Sequence, residues 1–243
     1  MGFKKIALAL FACLALGAFA ANAAQAAEWT VAKAGGGSER LAGPEKVECH
    51  KHSSSETLKI TTKFLGSPVE ITAKQIDCVE ATIDTTAGGV AHSKGKLTFT
   101  EVSVDKPALC HLPSDLTTEV LTDEVIMDPT AGSNTVADKF FPEVAGGGIL
   151  TLTFEGAECP VAGTPVPVKG TLCGESVHTN TAGTAFEMNL TGELRTPQTL
   201  LFGEAQQSTF GCEMRAGNEK IFLFGAVDTV LAGANVGKAF GAD

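Results

Sequence analysis

Between Gly146 and Cys173 the chain reads GGGILTLTFEGAECPVAGTPVPVKGTLC, and in it Leu150, Leu152 and Phe154 alternate with Thr151, Thr153 and Glu155. An extended strand sends successive side chains to opposite faces, so such a run has one face for a core and one for water. The same alternation recurs in Leu58, Ile60 and Phe64, in Val69, Ile71 and Ala73 after the turn Gly66-Ser67-Pro68, and in Val79, Ala81 and Ile83 beyond Cys78. Leu97 and Phe99 share one parity, whereas Val102 and Val104 take the other. That phase switch predicts a bulge near Thr100-Glu101, because one extra residue flips the facing of everything after it.

The remaining segments extend the pattern. Leu116 to Met127 has Ser114 and Asp115 as possible helix caps, but Thr117, Thr118, Val120, Thr122, Val125 and Ile126 are β-branched and crowd a helix, so it is assigned as strand. Phe186-Met188-Leu190 and Leu200-Leu201-Phe202 follow Cys173, and Ile221 to Val227 is apolar at both parities, as in a central strand covered on both faces. Trp29, the one tryptophan, sits in a predicted edge strand and anchors that end of the chain in the core. Leu231 to Asp243, rich in glycine and alanine, has room for a last strand. Short strands with turn signals every few residues predict an all-β domain, an antiparallel β-sandwich or barrel. Leu97-Thr98-Phe99-Thr100 and Leu152-Thr153-Phe154-Glu155 echo one another, and a cysteine follows each.

The first 26 residues have the layout of a secretory signal: Lys4 and Lys5, an apolar run from Ile6 to Ala20, and Ala24-Gln25-Ala26 as a cleavage site, with Ala23 as the rival. The apolar run is short for a membrane span. Cys13 follows Leu10-Phe11-Ala12, but bulky Phe11 and the apolar residues after it argue against a lipid anchor. Removing residues 1–26 takes away two lysines and no acids, moving the net charge from −10 to −12. Residues 27–243 then form a single domain, opened by a polar, flexible segment over 27–43 around Gly35-Gly36-Gly37. Acidity with no basic cluster argues against nucleic acid and anionic membrane as partners. No membrane span is expected after signal removal. The oligomeric state is left open.

Six cysteines remain after processing: Cys49, Cys78, Cys110, Cys159, Cys173 and Cys212. An even count in an exported chain predicts disulfides, and no CxxC pair supplies metal spacing. Two local closures and one long-range tie give the expected pairing Cys78–Cys110, Cys159–Cys173 and Cys49–Cys212.

Catalytic signatures are sparse. The chain lacks GxSxG, HExxH and the Walker pattern, so no catalytic residue and no cofactor is assigned. His50 and His52 share one strand face in Cys49-His50-Lys51-His52 and are the candidate metal ligands, although two imidazoles alone do not make a site. Glu143, Glu155, Glu158 and Glu175 read as a solvated face. Asp128, Asn134 and Asp138 fit no EF-hand spacing and read as a polar loop. With no tyrosine, one tryptophan and 14 phenylalanines, the chain is poor in the residues that stack on sugars or form interface hot spots. Asn189-Leu190-Thr191 matches a sequon by chance, since Leu190 reads as buried.

Phe154-Glu155-Gly156 with Cys159, and Lys169-Gly170-Thr171-Leu172-Cys173, resemble landmarks of a loose group of uncharacterised exported, cysteine-containing proteins of high-GC Gram-positive soil bacteria. The resemblance implies secretion and an all-β fold, and implies no site residues. The expected function is that of a non-enzymatic surface-contact or structural protein at or outside the cell envelope. The alternatives are a secreted polymer hydrolase with a carboxylate site assembled in three dimensions, and a weak metal-binding protein.

Overall fold

The computed structural model describes residues 28–54, 57–64, 66–86, 89–127, 136–176 and 198–242. In chain order its strands begin with β1 (Trp29–Ala32), β2 (Ser38–Arg40), β3 (Glu45–Lys51), β4 (Leu58–Phe64), β5 (Ser67–Ala73) and β6 (Gln75–Thr85). There follow β7 (Ala91–Thr100), β8 (Ser103–Lys106), β9 (Leu116–Thr117), β10 (Leu121–Met127), β11 (Val136–Pro142) and β12 (Leu150–Thr153). The last third holds β13 (Pro165–Gly170), β14 (Leu172–Ser176), β15 (Gln198–Phe202), β16 (Met214–Ala216), β17 (Glu219–Leu231) and β18 (Phe240–Ala242), with helix α1 (Glu204–Thr209) after β15.

Eight strands close into an antiparallel barrel-like sheet in the order β3-β6-β7-β10-β11-β14-β15-β17, and β17 pairs back to β3. Closure leaves these strands no open edge. A second sheet, β8-β5-β4-β17-β16-β13-β12, shares β17 with the barrel. The first half of β17 pairs with β4 and β16 through residues 219–224, and the second half pairs with β15 and β3 through residues 225–231. Gly225 stands at the changeover with φ +128°, in the backbone region open to glycine. A Cβ there would lie 2.7 Å from Leu58 Cδ2. The run from Ile221 to Val227, apolar at both parities, is therefore the one strand common to both sheets.

Two large apolar clusters fill the fold, and a minor third one gathers Ala137, Cys173, Phe210 and Cys212. The larger runs from the second sheet (Leu58, Ile71, Leu152, Phe154, Ile221, Leu223) into the barrel (Ile76, Leu121, Phe202, Val227). The smaller, built on Trp29, Val31, Leu41, Val47, Ile83, Leu231 and Phe240, lies under the three-stranded sheet β18-β1-β2. Residues 28–43, expected to be flexible, form two of those strands, and Trp29 is central in the small sheet instead of at an edge. The reason lies at the other end of the chain: Phe240, Gly241 and Ala242 pair with Trp29, Thr30 and Val31 and give the segment a partner.

The expected disulfides are corrected throughout. Cys78–Cys110, Cys159–Cys173 and Cys49–Cys212 do not form; the bonds are Cys49–Cys78, Cys110–Cys159 and Cys173–Cys212. Cys49 and Cys78 meet because β3 and β6 are barrel neighbours once β4 and β5 have left for the second sheet. Cys159 and Cys173 lie beyond opposite ends of β13, and a six-residue strand spans about 20 Å. Cys110–Cys159 instead joins the loops after the two echoing segments, where His111 and Glu155 also bridge.

Two phase readings also change. The expected bulge at Thr100-Glu101 is a break between strands, with Glu101 at φ +50° as the chain passes from the barrel to the second sheet. The bulge itself lies in β6, where the register with β7 shifts between Val79 and Thr82 and Glu80 has φ +53°. Val79, expected on the face of Ala81 and Ile83, is consequently exposed. Leu116 to Met127 is strand as expected, interrupted between β9 and β10.

Candidate functional site in the barrel lumen

Parity along each barrel strand decides what faces the lumen. On β17 those residues are Val227, Thr229 and Leu231; on β3 they are Val47 and Cys49, opposite Leu231 and Thr229. On β10 and β11 they are Leu121, Asp123, Asp138 and Phe140, with Asp123 opposite Phe140. Leu200 and Phe202 of β15 complete the wall. These side chains surround a cavity of about 80 Å³ between the two apolar clusters, with Trp29 and Phe240 at one end. Two glycines keep space in that wall. Gly174 lies opposite Asp138, and a Cβ there would be 2.8 Å from the Phe202 ring. Gly95 lies opposite Leu121, and its Cβ would be 2.7 Å from Ala81 Cα.

The lumen is apolar except for its hydroxyls and two carboxyls. Asp123 is 3% exposed, and its Oδ1 accepts the Ser93 backbone N–H at 2.5 Å. Burial pushes the Asp123 carboxyl above its usual range, opposed by the Ser93 hydrogen bonds and by nearby His92. Burial also pushes Asp138 up, well above its usual range, and the charge of Asp123 pushes it further. Asp138 keeps some accessible surface although protein encloses it; a cavity on one side of the group accounts for both. Facing Gly174, it has no side chain across from it on β14 to bond with.

Cationic side chains lie elsewhere. Lys94 Nζ is 2.5 Å from Glu143 Oε1 in an exposed ion pair. Lys96 stands opposite Val79, which is exposed, and so belongs to the outer face. His92 Nε2 bonds the hydroxyl of Thr122, which neighbours Asp123 on β10 and so projects from the opposite face of that strand.

On the outer wall His50, Asp228 and Thr199 form one row across β3, β17 and β15. His52 Nδ1 lies 2.9 Å from Asp228 Oδ1, and the Thr199 hydroxyl donates to the same oxygen at 2.5 Å. The structure thus gives His52 a carboxylate partner. Among the described residues no group of three or more His, Cys, Asp or Glu side chains is placed to hold a metal ion.

The acids near the opening stretch do not converge. Glu143 pairs with Lys94, Glu175 accepts from Gln206 Nε2, and Glu155 sits in the bridge to His111. Asp138, read from sequence as a loop residue with Asp128 and Asn134, is in β11; Asp128 and Asn134 lie outside the described residues, as does the Asn189 sequon. Asp123 was not singled out in the sequence. The local signal is parity alone: Asp123 alternates with Leu121 and Val125, while the adjacent acid Glu124 takes the other parity.

Comparison with protein-family models, with curated proteins and with solved structures gave no match.

Proposed function

We propose that this chain is an exported, non-enzymatic β-protein that works by binding, and that it holds a small molecule in the barrel lumen. The observation that carries the reading is the cavity of about 80 Å³ inside the barrel, with Asp123 and Asp138 in a largely apolar wall that also holds Thr82, Ser93 and Thr229. A few convergent polar groups in a largely apolar concavity are the usual make-up of a small-ligand site. An apolar cavity of ~150 Å³ takes benzene, so this one suits a smaller molecule or a wall that yields slightly.

The same enclosure disfavours a polymer hydrolase, since these two carboxyls face the inside of a closed sheet where a polysaccharide or peptide chain does not reach. Export is supported by the leader-like first 26 residues and by three disulfides, which fit an oxidising compartment. Among the described residues no helix is long and apolar enough to cross a membrane.

Trp29, the one tryptophan in a chain without tyrosine, lines the cavity and serves as its reporter. Native mass spectrometry of the protein from its producing cells, followed by Trp29 emission before and after ligand removal, tests the reading. A retained small mass whose loss shifts the emission supports it. A ligand-free mass, together with emission indifferent to small alcohols and amines, overturns it.

A further inference from the structure

We propose that the lumen selects a small organic cation, a primary ammonium on a compact apolar body, with the ammonium at Asp123 and Asp138 and the body against Phe140, Phe202 and Leu97. The inference rests on the reading that the lumen binds a small molecule, and adds the chemical class.

Three observations converge on it. The two carboxyls are diagonal neighbours on the inner face of β10 and β11, since Asp123 is paired with Phe140 and Asp138 with Val125. Asp138 lines the cavity, opposite a glycine, without a hydrogen-bond partner among the described residues. The lysines whose backbone borders the cavity direct their ammonium groups outward, Lys94 to Glu143 and Lys96 beside exposed Val79. Two buried acids with no cation inside the lumen are a standing cost in an apolar interior, and a bound ammonium lowers it by giving both a charge-assisted hydrogen-bond partner.

Other ligand classes fit worse. An anion would meet two acids and no facing cation. A hard metal ion wants six or more oxygens, and beside the two carboxyls and the hydroxyls of Thr82, Ser93 and Thr229 the wall is mostly phenylalanine, leucine and valine. A neutral apolar molecule fills the space but leaves Asp138 unbonded. An ammonium with an apolar body also gains from the faces of nearby aromatic rings, Trp29 among them.

The test compares n-butylammonium chloride with 1-butanol, a near-isostere without charge, and with potassium chloride at equal ionic strength. Each is titrated into the purified protein while Trp29 emission and thermal midpoint are followed. The wild type should bind butylammonium at least tenfold more tightly than butanol and show no saturable response to potassium. Asp138→Asn and Asp123→Asn, both with near-wild-type far-UV spectra, should lose that preference and keep the butanol response; an asparagine at 123 still offers a carbonyl to Ser93. Equal affinity for butylammonium and butanol, or a preference that survives both substitutions, overturns the ammonium inference and leaves the small-molecule reading standing. A saturable potassium response also overturns it. No response to either organic probe overturns both.

Discussion

Asp138 lies diagonally across from Asp123 on the inner face of the barrel, one strand over and two residues along, with a glycine as its neighbour on the other side. A pair of acids so placed sets opposite demands. Fold stability favours the protonated Asp138, whereas a bound cation favours the ionised form. The empty barrel and the occupied one therefore prefer different protonation states of the same carboxyl.

Replacing Asp138 with asparagine should make the protein more stable at neutral and alkaline pH and change little near pH 4. A carboxyl whose folded pKa lies above its unfolded value contributes stability that is full below the unfolded pKa and is lost as pH rises through the folded one. Each unit of separation corresponds to about 1.36 kcal/mol, and about 1 kcal/mol moves the midpoint of a chain this size by ~2–4 °C. Thermal melts of both proteins from pH 4 to 9 check it, and parallel curves would reject the assignment. Glu213 works in the other sense. Hydrogen bonds from Arg215 and Lys220 hold it down at about 2, so its contribution is present above its usual range and lost as pH falls toward 2.

Valine at Gly225 should destabilise the protein by roughly 2–4 kcal/mol, combining a disfavoured backbone region with a clash. The added Cβ would lie 2.7 Å from Leu58 Cδ2 and 3.4 Å from Leu58 Cα, so moving the leucine side chain relieves only part of the contact. Urea denaturation measures the loss. A change below about 0.5 kcal/mol, the scale of an ordinary surface substitution, would mean that β17 does not turn between its two sheets at this glycine.

Non-reducing peptide mapping should recover Cys49–Cys78, Cys110–Cys159 and Cys173–Cys212. The Cys110→Ala/Cys159→Ala double variant releases a tie across 49 residues of chain, for which loop entropy gives about 4 kcal/mol. The expected loss in urea is about 2–4 kcal/mol, since reduced chains retain some structure.

Gln207 is 2% exposed, and neither its Nε2 nor its Oε1 has a hydrogen-bond partner among the described residues. Methionine at this position should stabilise the protein by about 1–3 kcal/mol, the usual cost of an unsatisfied buried polar group. A methionine variant that melts lower than wild type would show that the amide has a partner in solution.

Local alternation carried most of the fold. Leu58–Phe64 is a strand where the pattern places it, the strand expected from Val69 to Ala73 begins at Ser67 inside the expected turn, the one expected through Phe154 ends at Thr153, and the β-branched character of Leu116 to Met127 marks strand. Pairing between distant strands was not legible. Nothing local to Cys49 says that β4 and β5 leave the barrel and bring Cys78 beside it, so spacing alone gives the wrong disulfides. The site was half visible. The sequence places Asp138 in a polar loop, and only the register Val125–Asp138 and Asp123–Phe140 shows that both carboxyls face inward. Parity alone cannot rank Asp123 above the adjacent Glu124, because strand closure decides which side becomes the inside.

The position of β17 in the chain has a consequence for biogenesis. Both sheets need it, and it is not complete until residue 231 has been made; the small cap waits longer still, for Phe240–Ala242 to reach Trp29. Until then β3, β4, β15 and β16 each lack a neighbour and present open edges to other chains. Folding of both sheets therefore waits until β17 has been made, and a chain truncated before β17 should aggregate instead of forming part of the molecule.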